Sequence, residues 1–166
     1  MAVNKEVKAK LEEDEVVVVT TPKKEINMND KSKLKNVRSC DVGWYKTTSS
    51  GETNIASGKT AMVRNEEIVD QVENDNVFLC GTGNGDHASV IIENEELRKH
   101  LGFENQIILT EKVCKEILAE TNVEKFKELL DKYVVMKHER STLLNCALAN
   151  KFDSISRLEM IKNHLS

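Results

Sequence analysis

Proline is nearly missing from this sequence: Pro22 is the only one in 166 residues, and aromatic side chains make up just 4%. So few aromatics require a mostly aliphatic core and argue against a base-stacking surface or a sugar-binding platform. Cysteine is sparse and scattered. Cys40, Cys80, Cys114 and Cys146 stand more than thirty residues apart, with no C-x-x-C pair and no dense disulfide framework. They read as reduced, mostly buried thiols of an intracellular protein. The four histidines are equally dispersed, with no H-E-x-x-H and no His/Cys cluster. No metal or cofactor site is therefore expected. The longest apolar run, Val16–Val19, is far too short to span a bilayer, and the charged opening "MAVNKEVKAKLEEDE" lacks the apolar core of a secretory signal. The expectation is a protein soluble at the point of synthesis, with no membrane partner. Internal repeats and extended heptads are also absent.

What is plentiful is charge, at 31% of residues, and it is divided unevenly. Residues 1–64 hold twelve Lys/Arg against nine Asp/Glu, whereas residues 65–166 hold twelve against nineteen. Such polarity suits copies packing head to tail, although two ordinary solvated surfaces give the same pattern.

Local patterns predict an α+β fold: an N-terminal β-rich lobe with two short helices, followed by a C-terminal bundle of three to four short helices. Residues 1–36 read as an extended or flexible arm with one strand, the β-branched "VVVVTT" that stops at Pro22. The lysine-rich "KKEINMNDKSKLKN" after it shows no periodicity and reads as a long loop. Residues 37–109 form the β-rich lobe. "VRSCDVGWYKTT" and "IASGKTAMV" are strands, and Asn65 and Asn94 are N-caps of the two short helices. "VFLC" and "HASVII" are strands joined by the hairpin loop "GTGNGD". Residues 110–166 are helical, with apolar residues three and four apart and N-caps at Thr110, Asn122 and Asp153.

Two glycine motifs invite a phosphate-binding reading. Gly81, Gly83 and Gly85 are spaced G-x-G-x-G, but the residues after them are strand-like. The helix N-terminus that would meet a phosphate is missing, and a turn fits better. "TNIASGKT" ends like a P-loop at Gly58, Lys59 and Thr60, but no buried strand leads in and no helix follows directly. Asp86 and His87 could form an acid/base pair by type, yet adjacent strand residues point to opposite faces. No nucleophile-elbow pattern surrounds any serine. No catalytic, cofactor-binding or metal-ligating residue is assigned, and the chain is read as non-enzymatic.

The candidate partner-binding residues are Val16, Val17, Val18 and Val19, with Lys23, Lys24, Lys31, Lys33 and Lys35 of the basic loop. The valines can complete a neighbour's sheet as an added strand. The lysines could neutralise phosphates, but they lack interleaved aromatics and the whole chain is acidic, which favours an acidic protein neighbour over nucleic acid.

The central block carries a resemblance. Glu67, Ile68, Gln71, Val72 and Asn76 form an "EI-x-x-QV-x-x-x-N" pattern. Gly81, Thr82, Gly83, Gly85, His87 and Ala88 follow as "GT-x-G-x-G-x-HA", and Leu97, Arg98, Leu101, Gly102 and Phe103 as "LR-x-x-LGF". This arrangement resembles small proteins of phages and prophages of low-GC Gram-positive bacteria. The resemblance implies a mobile-element origin and a virion component assembled in the host cytoplasm, and it assigns no catalytic residue. The leading expectation is thus a structural or assembly protein whose partners are other subunits of one particle, including copies of itself. One alternative is a soluble cytoplasmic regulator or inhibitor of a host nucleic-acid enzyme. Another is a nucleotide or phosphate enzyme using the GKT segment.

Overall fold

A computed structural model describes residues 26–165; Val16–Val19, Lys23 and Lys24 lie outside the described residues. The fold is α+β. Its central strand falls where the sequence suggested a loop. The segment K-S-K-L-K-N forms β1 (Lys31–Asn36), the middle of an antiparallel sheet whose edges are β4 (Thr60–Arg64) and β5 (Val90–Ile92). Ser32, Leu34 and Asn36 point inward while Lys31, Lys33 and Lys35 face solvent, the period of two that a half-buried strand requires. Two of the three inward residues are polar, so hydrophobicity alone does not mark the alternation.

The second sheet pairs β2 (Val42–Tyr45) with β3 (Glu52–Ile55), antiparallel. "IASGKTAMV" is not one strand: Ile55 ends β3, Gly58 turns the chain with φ of +67°, and Thr60 opens β4. The GKT residues therefore lead into a strand and lack the helix of a P-loop. Arg64 runs directly into α1 (Asn65–Glu73), where Asn65 is the first helical residue and not the cap. Its buried side chain instead donates to the Asn27 carbonyl at 2.8 Å and accepts from the Ser32 hydroxyl.

The expected glycine hairpin is also corrected. "VFLC" is a helical turn, α2 (Val77–Cys80), because the Asn76 side chain caps the Phe78 N–H at 2.9 Å. Gly81, at φ of +59°, then reverses the chain into tight turns; a Cβ there would collide with the Asp86 carbonyl oxygen. Strand β5 pairs with β1, not with the Val77–Cys80 segment. Helix α3 (Glu95–His100) starts at Asn94 as read from the sequence, with the Asn94 side chain accepting from the Leu97 N–H.

Helices α4 (Glu111–Ala119), α5 (Val123–Tyr133), α6 (Lys137–Ala149) and α7 (Ile155–Asn163) make the second half. Thr110 and Asn122 cap α4 and α5, while Ser154, one residue after the expected Asp153, stands at the start of α7. One cluster of buried side chains, centred on Leu34, Ile55, Ile68, Leu79 and Leu97, fills the sheet half. A second, centred on Ile117, Phe126, Leu130, Leu143 and Ile161, fills the helical half.

Candidate functional site: a cleft between two open sheet edges

Strands β3 and β4 are consecutive and share the turn at residues 56–59, yet no ladder joins them. Among the described residues β3 pairs with β2 alone, and β4 with β1 alone. Their free edges face a cleft of about 390 Å³ lined by Glu52, Thr53 and Asn54 on one side and residues 61–64 on the other. Lys31 lies opposite Arg64 in the β1–β4 register, and Lys46 follows Tyr45, which lies opposite Glu52. Both lysines therefore stand at the open mouth, away from the closing turn, and both line the cleft. Arg64 is drawn toward Glu66, at 3.6 Å, and neither Lys31 nor Lys46 has an ion-pair partner among the described residues.

Glu67 sits beneath the mouth, 2% exposed. Burial pushes its carboxyl up. The hydroxyl and amide of Thr48, the Gln71 side chain and the Thr47 amide outweigh that and hold it below the usual carboxylate range. Glu67 thus fixes the loop after β2 against α1. Thr53, 6% exposed, has no hydrogen-bond partner for its Oγ1. A buried hydroxyl left in this state costs free energy unless something supplies a partner.

The sequence-derived lysines are thereby distributed. Lys31 joins the cleft, Lys33 pairs with Glu93 at 3.2 Å, and Lys35 borders the start of α4 beside Glu111. They are the solvent face of a central strand, and no basic loop exists at residues 31–36.

A second polar cluster lies where the two halves meet. His87 Nδ1 is 2.8 Å from Glu139 Oε1, with the side chains 8% and 2% exposed. The other carboxylate oxygen accepts the N–H groups of Val135 and Met136 at the start of α6, at 2.8 and 2.9 Å. His87 is held at φ of +57°, its N–H bonded to the Ile107 carbonyl at 2.6 Å. Asp86 turns elsewhere, accepting the Ile107 N–H, so Asp86 and His87 do not share a site. The neighbouring His138 is pushed down to about 4 by burial and by the positive fields of Arg38 and His87. Its neutral ring lies 3.4 Å from Ser89 Oγ. Serine and histidine are present, but they do not chain to the carboxylate: His138 meets Ser89 while His87 takes Glu139. The gap between Val37, Ala88, Leu109, His138, Glu139 and Thr142 is too tight for a water molecule. The cluster is an internal brace across the two halves. Fifty-two positions separate His87 from Glu139, and no local pattern could have announced the pair.

No helix among the described residues is long and apolar enough to cross a membrane. No family model, curated protein or solved structure matches this chain.

Proposed function

We propose that this chain is a non-enzymatic structural or assembly protein that works through protein–protein contacts, as a component of a phage particle. The observation that carries the reading is the unfinished sheet: two consecutive strands present open edges to one cleft. Natural proteins cover or blunt such edges, because unpaired backbone groups recruit another strand. Large apolar side chains on the surface support it. Tyr45 is 77% and Met62 58% exposed in the sheet half, and Leu148 and Ile155 are 73% exposed on α6 and α7. His87 and Glu139, buried and hydrogen-bonded to each other, brace the two halves.

Deleting residues 1–21 tests the reading. The described members of both buried clusters lie beyond residue 25, and the truncated chain is expected to keep its helical circular dichroism and cooperative melting. Incorporation into particles is lost. Normal incorporation of the truncated chain contradicts the assigned role of the N-terminal segment. A stable one-to-one complex with a soluble host enzyme would point instead to an inhibitor.

A further inference from the structure

We propose that the pocket where the loop after β1 meets the start of α6 binds a small phosphate monoester, with the phosphoryl group held by Arg38 and Lys137. The site is separate from the β3–β4 cleft, and its occupancy is independent of the assembly role. The cavity measures about 370 Å³ and draws on both halves of the molecule. Arg38, Lys137, His138 and Ser89 form its polar wall, and Val77, Phe78 and Met136 its apolar one.

The two cations are unspent. Among the described residues neither Arg38 nor Lys137 has an ion-pair partner, and the buried Nε of Arg38 has no hydrogen-bond partner. What holds the guanidinium is the Phe78 ring, whose centroid lies 5.8 Å from Cζ. Phe78 is itself stacked on Trp44 at 6.2 Å. A guanidinium keeps its charge and its fork of N–H donors under all ordinary conditions, so a half-buried one without an acceptor is costly. An oxyanion answers it with two parallel bonds. No carboxylate among the described residues lines the pocket. Glu139, next to His138 in sequence, is already taken by His87 and by the N–H groups of Val135 and Met136.

The walls are tied down before any ligand arrives. The Ser89 N–H donates to the Phe78 carbonyl at 3.0 Å, and the Ser89 carbonyl accepts the Val37 N–H at 2.9 Å. Those bonds gather Arg38, Phe78 and Ser89 around one rim. The His87–Glu139 contact sets the first turn of α6 against them.

Charge and shape choose the ligand. Arg38 and Lys137 bring two positive charges, whereas His138, pushed down to about 4 by burial and by the fields of Arg38 and His87, is neutral. A phosphate monoester carries about two negative charges at neutral pH and matches the pair; a monocarboxylate leaves one cation unanswered. The Ser89 hydroxyl, 3.4 Å from the His138 ring, offers a phosphoryl oxygen a further polar partner. Val77 is 54% exposed, and with Phe78 and Met136 it gives an organic body apolar surface to cover. A cavity of this size stands at the small end of ligand sites, which suits one ring-sized body.

NMR titration of the nitrogen-labelled full chain tests this, with phenyl phosphate, inorganic phosphate and benzoate compared at constant ionic strength. Phenyl phosphate should give saturable shifts at Arg38 Nε–H and at the Ser89 and His138 amides, with affinity about tenfold above either other anion. Lys137→Gln, an exposed change, should raise the phenyl phosphate Kd about tenfold. Arg38→Lys keeps the charge and loses the fork; it should weaken binding by a similar factor while the rest of the spectrum is unchanged. Equal affinity for benzoate overturns the phosphate assignment, and equal affinity for inorganic phosphate overturns the ester. No saturable shift in the folded protein, or a Lys137→Gln variant that binds as well as the parent, overturns the site. A phosphotyrosyl peptide that binds about tenfold tighter than phenyl phosphate overturns the small-molecule assignment in favour of a phosphorylated protein. Particle incorporation is measured separately, so failure of this site leaves the assembly role standing.

Discussion

Ser32 and Asn36 occupy inward positions of the central strand, and each is completed by partners from other elements. Asn36 donates to the carbonyls of Cys40 and Ile55, both at 2.9 Å, and accepts the Arg38 N–H at 2.8 Å. Ser32 receives the Asn94 amide at 2.8 Å and donates to Asn65, tying β1 to the starts of α1 and α3. Replacing Asn36 with Leu strands three backbone groups and should cost about 2–4 kcal/mol in urea unfolding, whereas an exposed change such as Lys33→Gln stays within about 0.5 kcal/mol. The thiols are equally distinct. Burial and the neighbouring Cys146 push Cys114 up to about 12, so it should resist alkylation at pH 8 in the native state, while exposed Cys40 reacts. Mass spectrometry after a timed iodoacetamide pulse reads the difference. His138 titrates near 4 in the folded chain against 6.5 for a free histidine. Between those values the unfolded chain binds the extra proton, so stability falls as pH drops from about 6.5 to about 4. His138→Gln should flatten that limb of a melting-temperature profile; an unchanged profile would show that His138 does not contribute to it.

The helices of the second half are legible because their signals are local. Thr110 and Asn122 precede runs with apolar residues three and four apart, and the structure caps α4 and α5 with those two side chains. Strand β1 was hidden for the opposite reason: its inward Ser32 and Asn36 are acceptable only because Asn65, Asn94 and loop carbonyls meet them from distant positions. "VFLC" misleads because its residue types favour strands, while the Asn76 cap and the Gly81 reversal decide for a helical turn. That reversal is itself testable. Gly81→Ala places a Cβ against the Asp86 carbonyl oxygen at a positive φ and should cost about 2 kcal/mol or more, measured by thermal unfolding. Gly83→Ala meets no atom within 4 Å, which isolates backbone strain from collision. One wall of the candidate cleft, β4, falls within the segment read as a strand, but the cleft itself was not legible, since it exists only because β3 and β4 part after their shared turn.

The two halves have separate buried clusters, and the His87–Glu139 contact couples them. Removing Glu139 leaves the buried His87 Nδ1 and the N–H groups of Val135 and Met136 without their partner, so Glu139→Ala should destabilise the protein by about 2–4 kcal/mol and loosen the start of α6, visible as faster amide exchange at Val135 and Met136. The charge division along the chain, basic before residue 65 and acidic after it, is consistent with copies that meet through unlike regions. Open edges, exposed apolar side chains and this polarity are the features on which the proposed role as a structural subunit rests. Gradient sedimentation of a phage-producing lysate, with this protein quantified by mass spectrometry against the coat proteins, decides whether it is one. A structural subunit travels with the particles at a fixed copy ratio and survives a salt wash. Recovery in the slow soluble fractions alone would contradict the structural role.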